Sequence, residues 1–306
     1  MEFLYILEKI RLPFLDRFML AITNIGTETC MLAVSLVIFW CVDKYRGYLI
    51  LAVSFLGSWV NQFMKIWFRV PRPWVKDPGF TIVEEARASA GGYSLPSAHT
   101  QYTLSTFGTI AYTTKRNWIR VICLILVLLI PFSRLYLGVH TPLDVGVGAA
   151  ISILLLVILQ PIICGKSGRG IPFVLIFMCI ASVAYVWFVE TYDFPADVDA
   201  ANYNSAVKNG YTLLGGTFGF LISYIIDRKW INFSTKAAFW AQILKVVLGL
   251  SIVLVLKEGL EAPLNAALGT LPGRAVRYFV LTIFAAAIWP LSFRFFARIG
   301  YGKRKN

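Results

Sequence analysis

The chain holds only two histidines, His99 and His140, and each stands where a polar stretch meets an apolar run. His140 precedes Asp144 by four residues, a spacing that puts both on one helix face. The carboxylate can then take the proton on one ring nitrogen and leave the other free to act. Such a pair makes a nucleophile or a base. Upstream, the run Lys-Ile-Trp-Phe-Arg-Val-Pro-Arg-Pro from Lys65 to Pro73 carries Lys65 and Arg72 about two helical turns apart. Pro71 and Pro73 argue that the helix frays or ends there and releases Arg72 into a loop. In either case two cations converge on one anion.

The elements that must hold these residues are apolar. Of 306 residues 58% are hydrophobic and 15% charged, and the apolar ones fall in long runs, so the chain is read as an all-α, polytopic integral membrane helical bundle. The net charge of +13 is spread over short connectors between spans rather than gathered on one soluble face, which speaks against nucleic acid as a partner. The five cysteines, Cys30, Cys41, Cys123, Cys164 and Cys179, lie in or beside apolar segments with no metal-ligand spacing, and are expected as core thiols. Charged residues from Glu2 to Arg17 interrupt the N-terminal apolar positions, so no cleavable signal peptide is expected there.

An interfacial helix is expected over 1–12, followed by spans near 13–27, 29–42, 47–68, 97–114, 118–136 and 142–163. Further apolar runs near 171–189, 210–226, 239–256 and 275–293 suggest about four more spans. The chain thus divides into a core over 1–165 and additional transmembrane helices of unknown role over 166–306. Connectors 43–46, 115–120, 164–170 and 227–238 and the C-terminus are rich in Lys and Arg, whereas 190–209 is acidic. By the positive-inside rule the basic face is cytoplasmic, which puts the polar segments 69–96 and 133–142 on the non-cytoplasmic side. Threaded through two spans before residue 43, the N-terminus would share the cytoplasmic face. Gly215 and Gly219, four residues apart in an apolar run, are expected at a close helix contact.

Taken together, Lys65 with Arg72-Pro73, then Pro96-Ser97-Ala98-His99, then Ser133-Arg134, His140 and Asp144 resemble the three-part signature of the type 2 phosphatidic acid phosphatase family, whose phosphate site is shared with vanadium haloperoxidases. The resemblance covers roughly residues 13–163. It departs at Ala98, where the family usually has glycine. The resemblance implies that His140 attacks phosphorus to give a phosphohistidine, that Asp144 orients it, and that His99 protonates the leaving oxygen. It implies a phosphate cradle of Lys65, Arg72, Ser97, Arg134 and the backbone N–H groups around Ala98 and His99, with no metal and no cofactor. The expected partners are a phosphorylated lipid, as substrate, and the surrounding membrane lipids. Two rival readings are a lipid phosphotransferase using the same site and, from another class, a transporter or scaffold with a vestigial site.

Overall fold

The structure, a computed structural model, describes residues 1–165, 168–195 and 198–299, and among these there are helices but no strand. Six helical stretches are long and apolar enough to cross a membrane: Lys44–Lys76, Asn117–Tyr136, Pro142–Cys164, Ile171–Thr191, Phe239–Leu268 and Thr270–Arg298. A seventh is formed if α2 (Pro13–Ile25) and the segment Glu28–Val42 count together, since they are bent by 50° at a short break. The two runs expected as separate N-terminal spans are therefore joined by a bend far short of a reversal. The chain divides into two compact units, each assembled from three stretches of sequence.

The first unit comprises Met1–Val34, Leu49–Pro161 and Asp193–Ala206. Its first helix, α1 (Glu2–Lys9), buries Leu4 and Leu7 against Phe80, Val83, Leu135, Leu137 and Val139, so it covers the loop between two later spans. Helix α3 (Glu28–Val37) follows α2, and α4 (Lys44–Phe68) follows α3. Helix α4 stops because Arg69 turns left-handed, with φ of 49° and its N–H on the Lys65 carbonyl, and Pro71 cannot continue a helix. A single turn, α5 (Pro73–Lys76), comes next, with Arg72 as its N-cap.

Helix α6 (Ala98–Thr103) runs on through a π-helical turn, Leu104–Gly108, into α7 (Thr109–Thr113). Helix α8 (Asn117–Tyr136) and α9 (Pro142–Cys164) are longer. The short connector between α8 and α9 needs Gly138, whose φ of +81° lies in the left-handed region and whose missing Cβ leaves room for Arg11 and Phe80. Arg11 in turn donates to the carbonyls of Tyr136, at 3.0 Å, and Thr81, at 2.8 Å. The N-terminal segment thus clamps the connector that carries His140.

The second unit comprises Ser35–Tyr48, Ile162–Tyr192 and the chain from Val207 onward. It contains α10 (Ile171–Thr191), most of α11 (Ala200–Ile226), α12 (Phe239–Gly259), α13 (Glu261–Leu268), α14 (Thr270–Ile283), α15 (Trp289–Leu291) and α16 (Phe293–Arg298). Gly215 and Gly219 let α11 approach the backbone of α14, since a Cβ at either would meet the carbonyl of Ala275 or Phe279. The fully buried Lys245 donates to the Trp40 carbonyl at 2.9 Å and lies 4.3 Å from the Phe293 ring centre, while Lys44 pairs with the buried Asp227. Each buried charge is thereby matched, as a low-dielectric interior requires.

Candidate active site

Four backbone ends of the first unit converge: the end of α4, the start of α6, the end of α8 and the start of α9. The start of α9 fixes Asp144 by a capping box. Thr141 is the N-cap, Pro142 the first helical residue, and Asp144 the third. The Thr141 Oγ1 accepts from the Asp144 N–H at 3.3 Å, and the Asp144 Oδ2 accepts from the Thr141 N–H at 2.7 Å. Four residues apart on this turn, Asp144 Oδ2 lies 3.4 Å from His140 Nδ1. A second donor holds the same oxygen, the hydroxyl of fully buried Ser94, at 2.6 Å.

His140 Nε2 faces the guanidinium of Arg72, whose NH1 donates to it at 2.9 Å. A ring nitrogen that accepts must carry a lone pair, so the geometry selects the neutral tautomer with its proton on Nδ1, toward Asp144. Burial, then the charges of Arg72, Arg134 and Lys65 and the neighbouring His99, push His140 well below the usual imidazole range. The group the sequence offered as nucleophile or base is uncharged and oriented.

Three cations surround this imidazole. Arg72 is additionally bound to the carbonyls of Gly91 (2.7 Å), Gly92 (2.9 Å) and Val139 (2.9 Å). Lys65 donates to the carbonyl of Tyr93, so consecutive carbonyls of the 91–93 loop hold both cations. Arg134 is held by the Thr23 hydroxyl at 2.8 Å and the Ser89 hydroxyl at 3.0 Å, and its buried Nε has no partner among the described residues. His99 Nε2 is likewise buried without a partner. Two buried groups that lack partners thus lie among three cations, an arrangement with the chemistry to bind an oxyanion.

Ser97 caps α6. Its Oγ accepts from the Thr100 N–H and hydroxyl, at 3.4 and 3.0 Å, which leaves its own O–H to donate. Ala98 is the first residue of that helix and has no positive φ, so alanine fits the backbone there without strain. The first N–H groups of a helix lack intrahelical acceptors, which keeps those of Ala98 and His99 available. The whole Pro96–His99 turn is pressed against α9: the Ser97 N–H donates to the Asp144 carbonyl at 3.0 Å, and a Cβ at Gly148 would stand 2.7 Å from the Ser97 carbonyl oxygen. Gly148→Ala is therefore expected to lower kcat/KM about tenfold or more by shifting this turn, with a loss of about 1–3 kcal/mol in stability from overpacking. Steady-state kinetics and thermal denaturation of the variant check both.

All eight residues proposed from the sequence thus lie in the first unit, where these four helix ends meet. Those it did not single out are the supports: Ser94 on Asp144, Thr23 and Ser89 on Arg134, Arg11 under the 136–138 turn, and the carbonyls of 91–93 and 139. Ser133, expected as a helix-end hydroxyl, donates to the Ile130 carbonyl at 2.6 Å. Among the described residues no group of three or more His, Cys, Asp or Glu side chains could hold a metal ion.

Residues 47–163 match the PAP2 superfamily and residues 211–302 match the PAP2 superfamily phosphatase, transmembrane extension. The chain is similar to phosphatidylglycerophosphatase B of Bacillus subtilis (strain 168), with 27% identity over 159 residues that make up 48% of this chain and 74% of that protein. It is also similar to sphingosine-1-phosphate phosphatase 2 of Homo sapiens, with 26% identity over 198 residues, or 61% of this chain and 47% of the relative. No solved structure matches the chain. With the PAP2 superfamily model over residues 47–163 and the superfamily's transmembrane extension over residues 211–302, the chain belongs to the PAP2 superfamily, carrying both regions.

Proposed function

We propose that this protein is an integral membrane phosphatase that hydrolyses a lipid phosphate or pyrophosphate through a phosphohistidine, without a metal, on the non-cytoplasmic face. The carrying observation is the Asp144–His140–Arg72 chain, in which a neutral, oriented imidazole points its lone pair at a cation that phosphate would engage. On substrate binding, Arg72 NH1 turns from His140 Nε2 to a phosphoryl oxygen, which frees the lone pair. Nε2 attacks phosphorus, the bond from phosphorus to the lipid oxygen breaks, and His99 gives that oxygen its proton. Water then attacks the phosphohistidine, the P–N bond breaks, and His99 takes the water's proton. The negative charge of the phosphate favours the proton on His99, which otherwise stands among three cations. Lys65, Arg72 and Arg134 neutralise the oxygens as a metal does elsewhere.

The relatives' names give the substrate panel: phosphatidylglycerophosphate and a sphingoid-base phosphate, beside phosphatidate and an isoprenyl diphosphate. Purified protein is expected to release phosphate from at least one of these four with EDTA present and to be inhibited by vanadate, a mimic of the pentacoordinate transition state. A divalent-metal requirement that persists with a soluble aryl phosphate, where lipid presentation plays no part, would overturn the metal-free reading.

Sidedness is supported by where charged connectors sit. In the second unit Tyr45 packs beside Gly168, Lys44 pairs with Asp227, and Arg294 reaches the Ile231 carbonyl, so the connectors 43–46, 168–170 and 227–238 share one end. The acidic connector behaves differently: Asp199 donates its N–H to the Tyr93 hydroxyl in the first unit, beside the loop that holds Lys65 and Arg72. By the positive-inside rule, Lys- and Arg-rich connectors elsewhere in the sequence and an acidic connector beside the site favour a non-cytoplasmic site. The N-terminus, packed through α1 on residues 135–139, takes the site's side rather than the cytoplasmic face expected from two separate spans. Lys166, Asp197 and the basic tail at 303–305 lie outside the described residues. In a cysteine-free variant, a cysteine at 199 is expected to react with an impermeant thiol reagent outside intact cells and one at 229 to stay unlabelled. The reverse pattern inverts the topology.

A further inference from the structure

We propose that Ser94 is a positioning residue for His140, acting through Asp144; the proposal rests on the phosphohistidine reading above. Asp144 Oδ2 faces His140 Nδ1 and accepts from the Thr141 N–H and the Ser94 hydroxyl, while Oδ1 has no partner among the described residues. The Thr141 donor belongs to the same helix turn as Asp144 and moves with it. Ser94 does not. Its N–H is tied to the Val70 carbonyl at 2.8 Å, just past the end of α4, and its side chain is fully buried. It is therefore the one contact that references the carboxylate to the element bearing Lys65 and leading to Arg72. With a single intrahelical donor left, the carboxylate can turn about its Cβ–Cγ bond and offer the imidazole the wrong oxygen.

Ser94 touches neither phosphate nor the attacking nitrogen, so its removal must act on turnover and not on the cradle. In the full-length protein acting on a soluble activated aryl phosphate, Ser94→Ala is expected to slow phosphoenzyme formation and kcat about ten- to a hundredfold, the range carried by a hydrogen bond to a charged group. Inhibition by vanadate and KM should stay within about twofold. In an Asp144→Asn background, the same substitution should change the residual rate by less than about twofold, because the group it positions is already altered. An equal loss in both backgrounds assigns Ser94 a purely structural role and overturns the proposal. So does a Ser94→Ala enzyme at wild-type turnover beside an inactive His140→Ala. An active His140→Ala instead sinks the phosphohistidine reading itself, and the role of Ser94 with it.

Discussion

Replacing His140 with alanine is expected to reduce hydrolysis by at least about a thousandfold, while the protein stays folded. The proposed nucleophile is unique in its position. His99 is the only other imidazole in the chain, and it sits on a different helix, its Nε2 buried without a partner among the described residues. The loss falls on kcat, because phosphate would still meet Lys65, Arg72 and Arg134. Folding should survive: truncation leaves Asp144 held by Ser94 and Thr141, and leaves Arg72 NH1 its bond to the Val139 carbonyl. What remains is a small cavity and one lost hydrogen bond, about 1–3 kcal/mol. Phosphate release and size-exclusion behaviour of the variant decide the matter, and a rate above a tenth of wild type refutes His140 as nucleophile. In the wild type, burial and the surrounding cations hold His140 below the usual imidazole range. The acid limb of kcat/KM on an aryl phosphate should therefore fall below about pH 6.5, since protonation of the free enzyme's nucleophile is deferred to lower pH.

The candidate site was legible in the sequence because its residues are rare types at fixed short spacings. A His and an Asp four apart read as one helix face; in the structure His140 stands just before the helix that starts at Pro142, and the capping box of Thr141 and Asp144 holds the carboxylate toward it. Pro71 likewise announced that α4 must end before Arg72. The supports were not legible, for a physical reason: Ser94, Thr23 and Ser89 act through contacts between segments 45 to 111 residues apart, and a serine or threonine has no local pattern that marks such a role. The N-terminal spans failed differently. Two apolar runs broken at Gly26 look the same in sequence whether the chain reverses or bends by 50°, and only packing on α8 decides. Ala98 reads as a departure beside the family pattern, yet as the first residue of a helix it occupies a position where alanine is a good former.

Arg72→Lys is expected to lower kcat/KM by on the order of 10² to 10³, about 2.7–4 kcal/mol of barrier, although it keeps the charge. The argument is geometric. Arg72 uses all three guanidinium nitrogens at once: Nε on Gly92, NH2 on Gly91, and NH1 on both Val139 and His140. A planar fork can hold the 91–92 backbone with two nitrogens and still present the third toward His140 Nε2, where the phosphoryl group must arrive. An ammonium has one nitrogen at the end of a flexible chain. It can hold the loop or meet the phosphate, and whichever it does the other contact is lost. Two readouts follow from that division. Vanadate inhibition should weaken in parallel with kcat/KM, which separates a cradle defect from the nucleophile defect of His140→Ala. Amide hydrogen exchange over residues 84–93 should also quicken in Arg72→Lys and remain near wild type in His140→Ala, because only the former releases the Gly91 and Gly92 carbonyls. Activity within about fivefold of wild type would show that charge alone suffices at this position, and that the fork geometry is a feature of the loop rather than of catalysis.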